Sequence, residues 1–248
     1  MRTALVRAPG PRLAEGLVTH RERRLLDLAL ARAQHEAYTG ALADAGFELH
    51  WVEPADDCPD AVFVEDTAVV CGDRAVLARP GAPERAAEVA GTERALRELG
   101  LDVLTLDGEC ALDGGDVLQT ADALYVGRSG RTDDDALCRL PSLLPARRVV
   151  GIKVMGALHL KSAMTALPDG SLIGVPDLID TSGLPGLRVA PEPSGASVVP
   201  LGEDHLLLAQ SAPRTAALLR ADGWRVTTVD ISEFEALEGS VTCLSLLV

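Results

Sequence analysis

Short apolar runs broken by turn residues dominate the chain, and they come in pairs. The stretch TAVVCGDRAVLARP (67–80) holds two such runs around a Gly-Asp turn, and DVLQTADALYVGR (116–128) repeats the shape around Ala-Asp. SAMTALPDGSLIGVP (162–176) turns at Pro-Asp-Gly, and ASVVPLGEDHLLLAQ (196–210) turns at Gly-Glu-Asp. Measured from Asp66, corresponding points fall near Asp113, His159, Ser197 and Cys243, a recurrence of roughly 40 to 47 residues.

After several of these hairpins an Ala/Leu/Arg/Glu-rich amphipathic segment leads into another short strand. APERAAEVAGTERALREL (82–99) precedes LDVLTL, and APRTAALLRADG (212–223) precedes WRVTTVDI. A first helix over about Arg21 to Ala45 runs into FELHWVE in the same way. Each unit therefore reads as strand, strand, helix, strand. The opening strand RTALVRA has no hairpin partner before it, and the apolar ending EGSVTCLSLLV reads as the strand that supplies one, sealing a ring with the two termini. In such a ring of about five units the equivalent strand ends gather near the axis. Asp66, Asp113, His159 and Cys243 then meet despite their separation in sequence.

Composition adds the setting. With 248 residues and 47% hydrophobic ones, the chain has ample material for a core as one large domain or two small ones. Lys+Arg 23 against Asp+Glu 37 gives a net charge of −14, which argues against nucleic acid or an anionic membrane surface as partner and suits a small cationic ligand. MRTALVRAPG has no long apolar core of a signal peptide, and no stretch approaches the roughly 18 to 20 apolar residues of a membrane span, so a cytoplasmic protein is expected. Five cysteines without a CxxC pair fit neither a disulfide framework nor a zinc site and read as free thiols.

The candidate chemistry lies at the recurring points. A thiol with a histidine and carboxylates nearby is a nucleophile constellation. Each member also has a plainer reading: Cys243 as an inert core residue, His159 as a satisfied structural histidine, Asp113 as the start of an Asp-Gly-Gly turn. FVEDTAVV (63–70) is harder to explain away, because Glu65 and Asp66 sit inside an apolar run. A buried carboxylate without a partner costs several kcal/mol, of order 3 to 5, so a cation is expected to meet it.

The segments PDAVFVEDTAVV, RPGAPER, LDGGDVL, YVGRSGRT, LHLKS and VTCLSL, in this order along essentially the whole chain, resemble the dimethylarginine dimethylaminohydrolases of the guanidino-modifying pentein superfamily. The resemblance implies one domain over 1–248, an α/β fold built as a five-bladed pseudo-symmetric propeller of ββαβ units. It also implies hydrolysis of methylated arginine to citrulline and the methylated amine through a covalent intermediate on the cysteine. It makes Cys243 the nucleophile, His159 the acid/base and Asp113 the carboxylate that orients the histidine. Asp66 would hold the guanidinium, with Asp60 and Glu65 beside it. Arg85 and Arg131 would bind the α-carboxylate, and Leu17, in PGPRLAEGLVTH, would be the lid residue. One departure is that Leu244 follows Cys243 where some relatives carry a second cysteine.

No cofactor is implied, and the dispersed histidines suggest no metal cluster. The expected partner is a small guanidino amino acid, and the chain is compatible with a monomer or a homodimer. An arginine deiminase or amidinotransferase-like enzyme would use the same thiol and histidine on another guanidino compound, but such relatives carry inserted segments that this compact chain lacks. The same propeller serves as a binding module in ribosome-associated factors, which need no catalytic thiol.

Overall fold

Each paired run closes as an antiparallel hairpin, and a third strand lies parallel to the second to complete a three-stranded sheet. Five such sheets are present in the computed structural model, which describes residues 2–144, 148–184 and 186–248. The first blade consists of Ala68–Cys71, Arg74–Leu77 and Asp102–Thr105, with Val69 opposite Val76. Val117–Gln119, Ala123–Arg128 and Arg148–Lys153 form the second, and Met164–Ala166, Leu172–Gly174 and Arg188–Val189 the third. Val199–Pro200, His205–Ala209 and Arg225–Val229 form the fourth. In the fifth, Leu246–Leu247 runs antiparallel to Arg2–Val6, which runs parallel to Phe47–Trp51. The two termini therefore close a five-bladed α/β propeller, as the unpaired opening strand predicts.

Parallel neighbours require a crossover, and α-helices fill it in four blades. Val89–Glu98 is typical: Thr92, Ala95 and Leu96 form its buried face, and Ala95 and Leu96 pack with Ala75, Leu77 and Val103 of the first blade's sheet. The third blade departs from the expected unit. Among its described residues the crossover has one 3-10 turn, Pro176–Leu178, in a segment where Pro176, Gly183 and Gly186 interrupt any helical run.

Two boundaries differ from the sequence expectation. The first helix spans Leu28–Asp44 and does not begin at Arg21. Asp27 is the reason, since its carboxylate accepts from the N–H groups of Ala29 and Leu30 and caps the helix there. The preceding Arg-rich run bonds elsewhere, Arg21 Nη1 to the Glu235 carbonyl and Arg24 to that of Ser232. Cys243 is likewise not in a strand: it occupies a turn in which its N–H reaches the Ser240 carbonyl at 3.2 Å, and the strand is only Leu246–Leu247. Val241 and Leu244 are fully buried all the same, so the apolar pattern reported burial rather than extension.

The blades are stitched together at the entrances to their first strands. Glu65 N donates to Cys243 O (3.3 Å), Gly115 N to Asp66 Oδ1 (3.1 Å) and Leu160 N to Asp116 Oδ1 (2.9 Å). Thr165 Oγ1 donates to Ala196 O (2.7 Å), and Ser197 Oγ to Thr242 Oγ1 (3.3 Å). These five links join every neighbouring pair of blades around the ring. Among the described residues, no helix is long and apolar enough to cross a membrane.

Candidate active site

The recurring points of the sequence converge here. Asp66 lies in the 3-10 turn Val64–Thr67, Asp113 directly precedes the turn Gly114–Asp116, and His159 directly precedes the turn Leu160–Ser162. With Cys243 from its own turn, Asp66 and His159 line one narrow cleft that also contains Leu17, Asp60, Arg85 and Arg131. Asp113 stands behind His159, fully buried.

His159 is held between two carboxylates. Its Nε2 is 2.9 Å from Asp113 Oδ2, and its Nδ1 is 3.5 Å from Asp66 Oδ1 and makes no hydrogen bond. Asp113 is fixed in turn, accepting from Gly81 N at 3.0 Å, while its own N–H donates to Thr132 Oγ1 at 3.1 Å. Burial alone would lower the pKa of His159, but Asp66, the hydrogen bond to Asp113, and the charges of Asp116 and Asp113 outweigh it and raise it to about 9. The ring is therefore an imidazolium at neutral pH, with Nδ1–H free to act as an acid. Asp116 is a site residue the motifs did not single out. It is buried, binds Leu160 N and the Ser129 hydroxyl (2.6 Å), and its signal in DGGDVL is the one that exposed Glu65 and Asp66: an acid inside an apolar run.

Cys243 is 4% exposed, and its Sγ lies 3.3 Å from Ser240 Oγ. Burial, together with the charges of Glu65 and Asp66, pushes its pKa up to about 12 against the help of Ser240. The resting thiol is protonated, and a positive charge placed against it is what would release a thiolate.

The carboxylates and arginines are paired in ways the sequence does not state. Arg85 Nη1 donates to Asp66 Oδ2 at 2.6 Å, while its Nε and Nη2 engage Glu88 and its Nη2 reaches the carbonyls of Asp60 and Phe63. Burial would raise the Asp66 pKa, but the His159 and Arg85 charges hold it below the ordinary aspartate range. Arg131 is different. Its Nη1 is buried without a hydrogen bond, 3.9 Å from Asp113 Oδ2, a donor in want of an anion. Asp60, whose pKa burial raises, accepts from Leu17 N at 3.0 and 3.1 Å and so ties the Leu17 segment to the cleft.

Glu65 stands apart from the other expected substrate contacts. It pairs with Lys161 at 2.7 Å and faces an axial cavity on the inner strands, where Gln119, Thr165 and Thr242 also lie. Burial raises its pKa although Lys161 opposes the shift. Among the described residues, ligand atoms of Asp66, Asp113 and His159 fall within 4.8 Å of one another.

No family model matches the chain. It is 53% identical, over 98% of its own length and 95% of the other's, to N(G),N(G)-dimethylarginine dimethylaminohydrolase of Streptomyces coelicolor. A cysteine-to-serine mutant of the Pseudomonas aeruginosa enzyme, complexed with citrulline, superposes with a TM-score of 0.91 at 26% identity, covering 99% of this chain and 98% of that one. A dimethylarginine dimethylaminohydrolase adduct with S-methyl-L-thiocitrulline gives a TM-score of 0.92 at 25% identity over 100% of both chains. With a relative 53% identical along nearly the full length of both chains, and the same fold in solved members, the chain belongs to the dimethylarginine dimethylaminohydrolase family.

Proposed function

We propose that the protein hydrolyses Nω-methylated arginine to citrulline and dimethylamine or methylamine, with Cys243 as nucleophile and His159 as acid and base. The observation that carries this reading is His159, held by Asp113 at 2.9 Å, in the cleft that also contains the Cys243 thiol. The guanidinium is a stabilised cation, so attack on it requires that the charge be held and that one nitrogen be made a leaving group. Asp66 holds the charge, and the arriving cation favours loss of the Cys243 proton to water, from which the amine regains it after leaving and so becomes an ammonium. The thiolate attacks the guanidinium carbon. Collapse of the adduct expels the methylated amine, which takes the proton of His159 Nδ1 and leaves a thiouronium on Sγ. Neutral His159 then takes a proton from water as its oxygen attacks the same carbon; the C–S bond breaks, the remaining hydroxyl proton of the adduct passes to Sγ, citrulline forms, and the thiol and imidazolium are restored. Asp113 keeps Nδ1 pointed at the reaction by holding Nε2.

The rest of the cleft fits a free amino acid. The Arg131 Nη1, which makes no hydrogen bond, is positioned for an α-carboxylate, and Arg85 joins it by exchanging Asp66 for that carboxylate while Asp66 takes the substrate guanidinium. Asp60 and the lid residue Leu17 lie on the same side, and Glu65 acts from behind through its charge. The test is to supply free asymmetric dimethylarginine, its carboxamide and the same residue within a peptide, measuring citrulline and released amine. The free amino acid should be preferred by roughly 10- to 1000-fold in kcat/KM, and Arg131→Ala should erase most of that preference. Equal efficiency on all three would refute the carboxylate clamp, and release of ammonia from arginine in place of a methylated amine would favour a deiminase.

A further inference from the structure

The helix Ser232–Glu235 stops through two backbone bonds, Gly239 N to Phe234 O at 2.9 Å and Glu238 N to Glu235 O at 3.1 Å. This is a Schellman-type ending, with Glu238 in the left-handed region at φ 63°. Glycine is the residue that such a position favours, because a Cβ is crowded there. Every other positive-φ residue among the described ones is a glycine. A long side chain kept at a strained position implies that the side chain has a use.

The use is visible in what the carboxylate holds. Glu238 is buried, and its two oxygens accept from the backbone N–H groups of Thr19 (3.0 Å) and His20. Those residues continue the segment from Leu17, whose own N–H is held by Asp60. Both acids line the cleft, Asp60 from the turn before the first blade and Glu238 from the stretch that leads to Cys243. The lid segment is therefore gripped by two carboxylates from opposite ends of the chain. Loss of the second grip frees the segment on the side of the nucleophile.

We infer that Glu238 is a positioning residue that latches the Leu17 segment over the cleft, so that retention of the substrate depends on its carboxylate. The inference rests on the amino-acid-hydrolase reading of the cleft. Glu238→Gly is the informative variant, since it removes the carboxylate while giving the left-handed position its favoured residue. Its Tm should match or exceed that of the unaltered protein, and KM for asymmetric dimethylarginine should rise by about 10-fold or more, with the larger part of the loss in KM rather than kcat. Glu238→Gln, which keeps one acceptor oxygen, should fall between the two. A second readout needs no turnover: the exposed Arg21, Arg23 and Arg24 follow the latch, and limited trypsinolysis there should be faster in Glu238→Gly. Citrulline should protect the unaltered protein better than the variant. Unchanged KM with unchanged trypsinolysis would overturn the latch, and a lowered Tm with unchanged KM would reduce Glu238 to a structural role. Failure of the unaltered protein to turn over dimethylarginine would instead count against the functional reading, leaving the trypsin comparison in ligand-free protein as the test of the latch.

Discussion

His159 is protonated at neutral pH because four surrounding interactions with Asp66, Asp113 and Asp116 outweigh its burial. Its folded pKa, about 9, exceeds the ordinary value of 6.5, so the folded state binds this proton more tightly than the unfolded one. The resulting stabilisation is fully present below about pH 6.5 and is lost as pH rises through about 9. Cys243 shifts upward too and would remove stability above its ordinary range, so a Cys243→Ser background isolates the histidine. In that background Tm should decline across pH 6.5 to 9, and adding His159→Gln should abolish the decline. A persistent decline in the double variant would place the proton on another group.

At the scale of elements, the turn Gly114–Asp116 shows why DGGD is more than turn chemistry. A Cβ on Gly115 would come within 2.4 Å of Asp66 Oδ1 and 2.7 Å of His159 Nδ1, and Gly115 N–H itself donates to Asp66. The glycine allows blade entrances carrying an acid and a histidine to approach until the two side chains interact. Gly115→Ala should therefore push Asp66 and His159 apart and lower kcat by at least about 10²-fold, the scale of a 1 Å misplacement at a reacting group. Circular dichroism should still report the folded protein, and unaltered kcat would show that the packing at this turn does not set the site. The Asp-Gly-Gly signature was legible as a turn, whereas the clash that makes glycine necessary involves residues 44 and 49 positions away along the chain.

For the whole molecule, ring closure matters because every blade entrance is bonded to the next. The fifth blade is assembled from both termini: Thr3 and Val248 exchange two backbone hydrogen bonds at 3.0 and 2.9 Å, and Tyr38 Oη contacts Ser245 Oγ at 2.7 Å. Removing Leu246–Val248 strips the inner strand from this blade and exposes the apolar surface of Leu5. The loss of burial should destabilise by about 3 to 6 kcal/mol, which lowers Tm on the order of 10 °C for a chain of this size. Activity should fall with it, because the Cys243 turn loses the strand that anchors it. Calorimetry with parallel citrulline assays would test this, and a truncated protein with unchanged Tm would mean that the ring does not depend on its closing strand.

Hairpins, crossover helices and the convergence of Asp66, Asp113, His159 and Cys243 were legible in the linear chain, since turn residues and apolar periodicity act over a few positions and the recurrence places equivalent points together. The helix start at Asp27 was also written there, as a capping residue that follows helix-forming Arg and Glu. Partner choice was not legible. That Arg85 takes Asp66, that Lys161 takes Glu65, and that Glu238 reaches back to Thr19 and His20 are relations between blades or across the closure of the ring. The protonation of the thiol and the imidazole follows from those relations as well. Desolvation and Coulomb interactions depend on distances of a few ångströms and on burial, and only the closed ring sets either one.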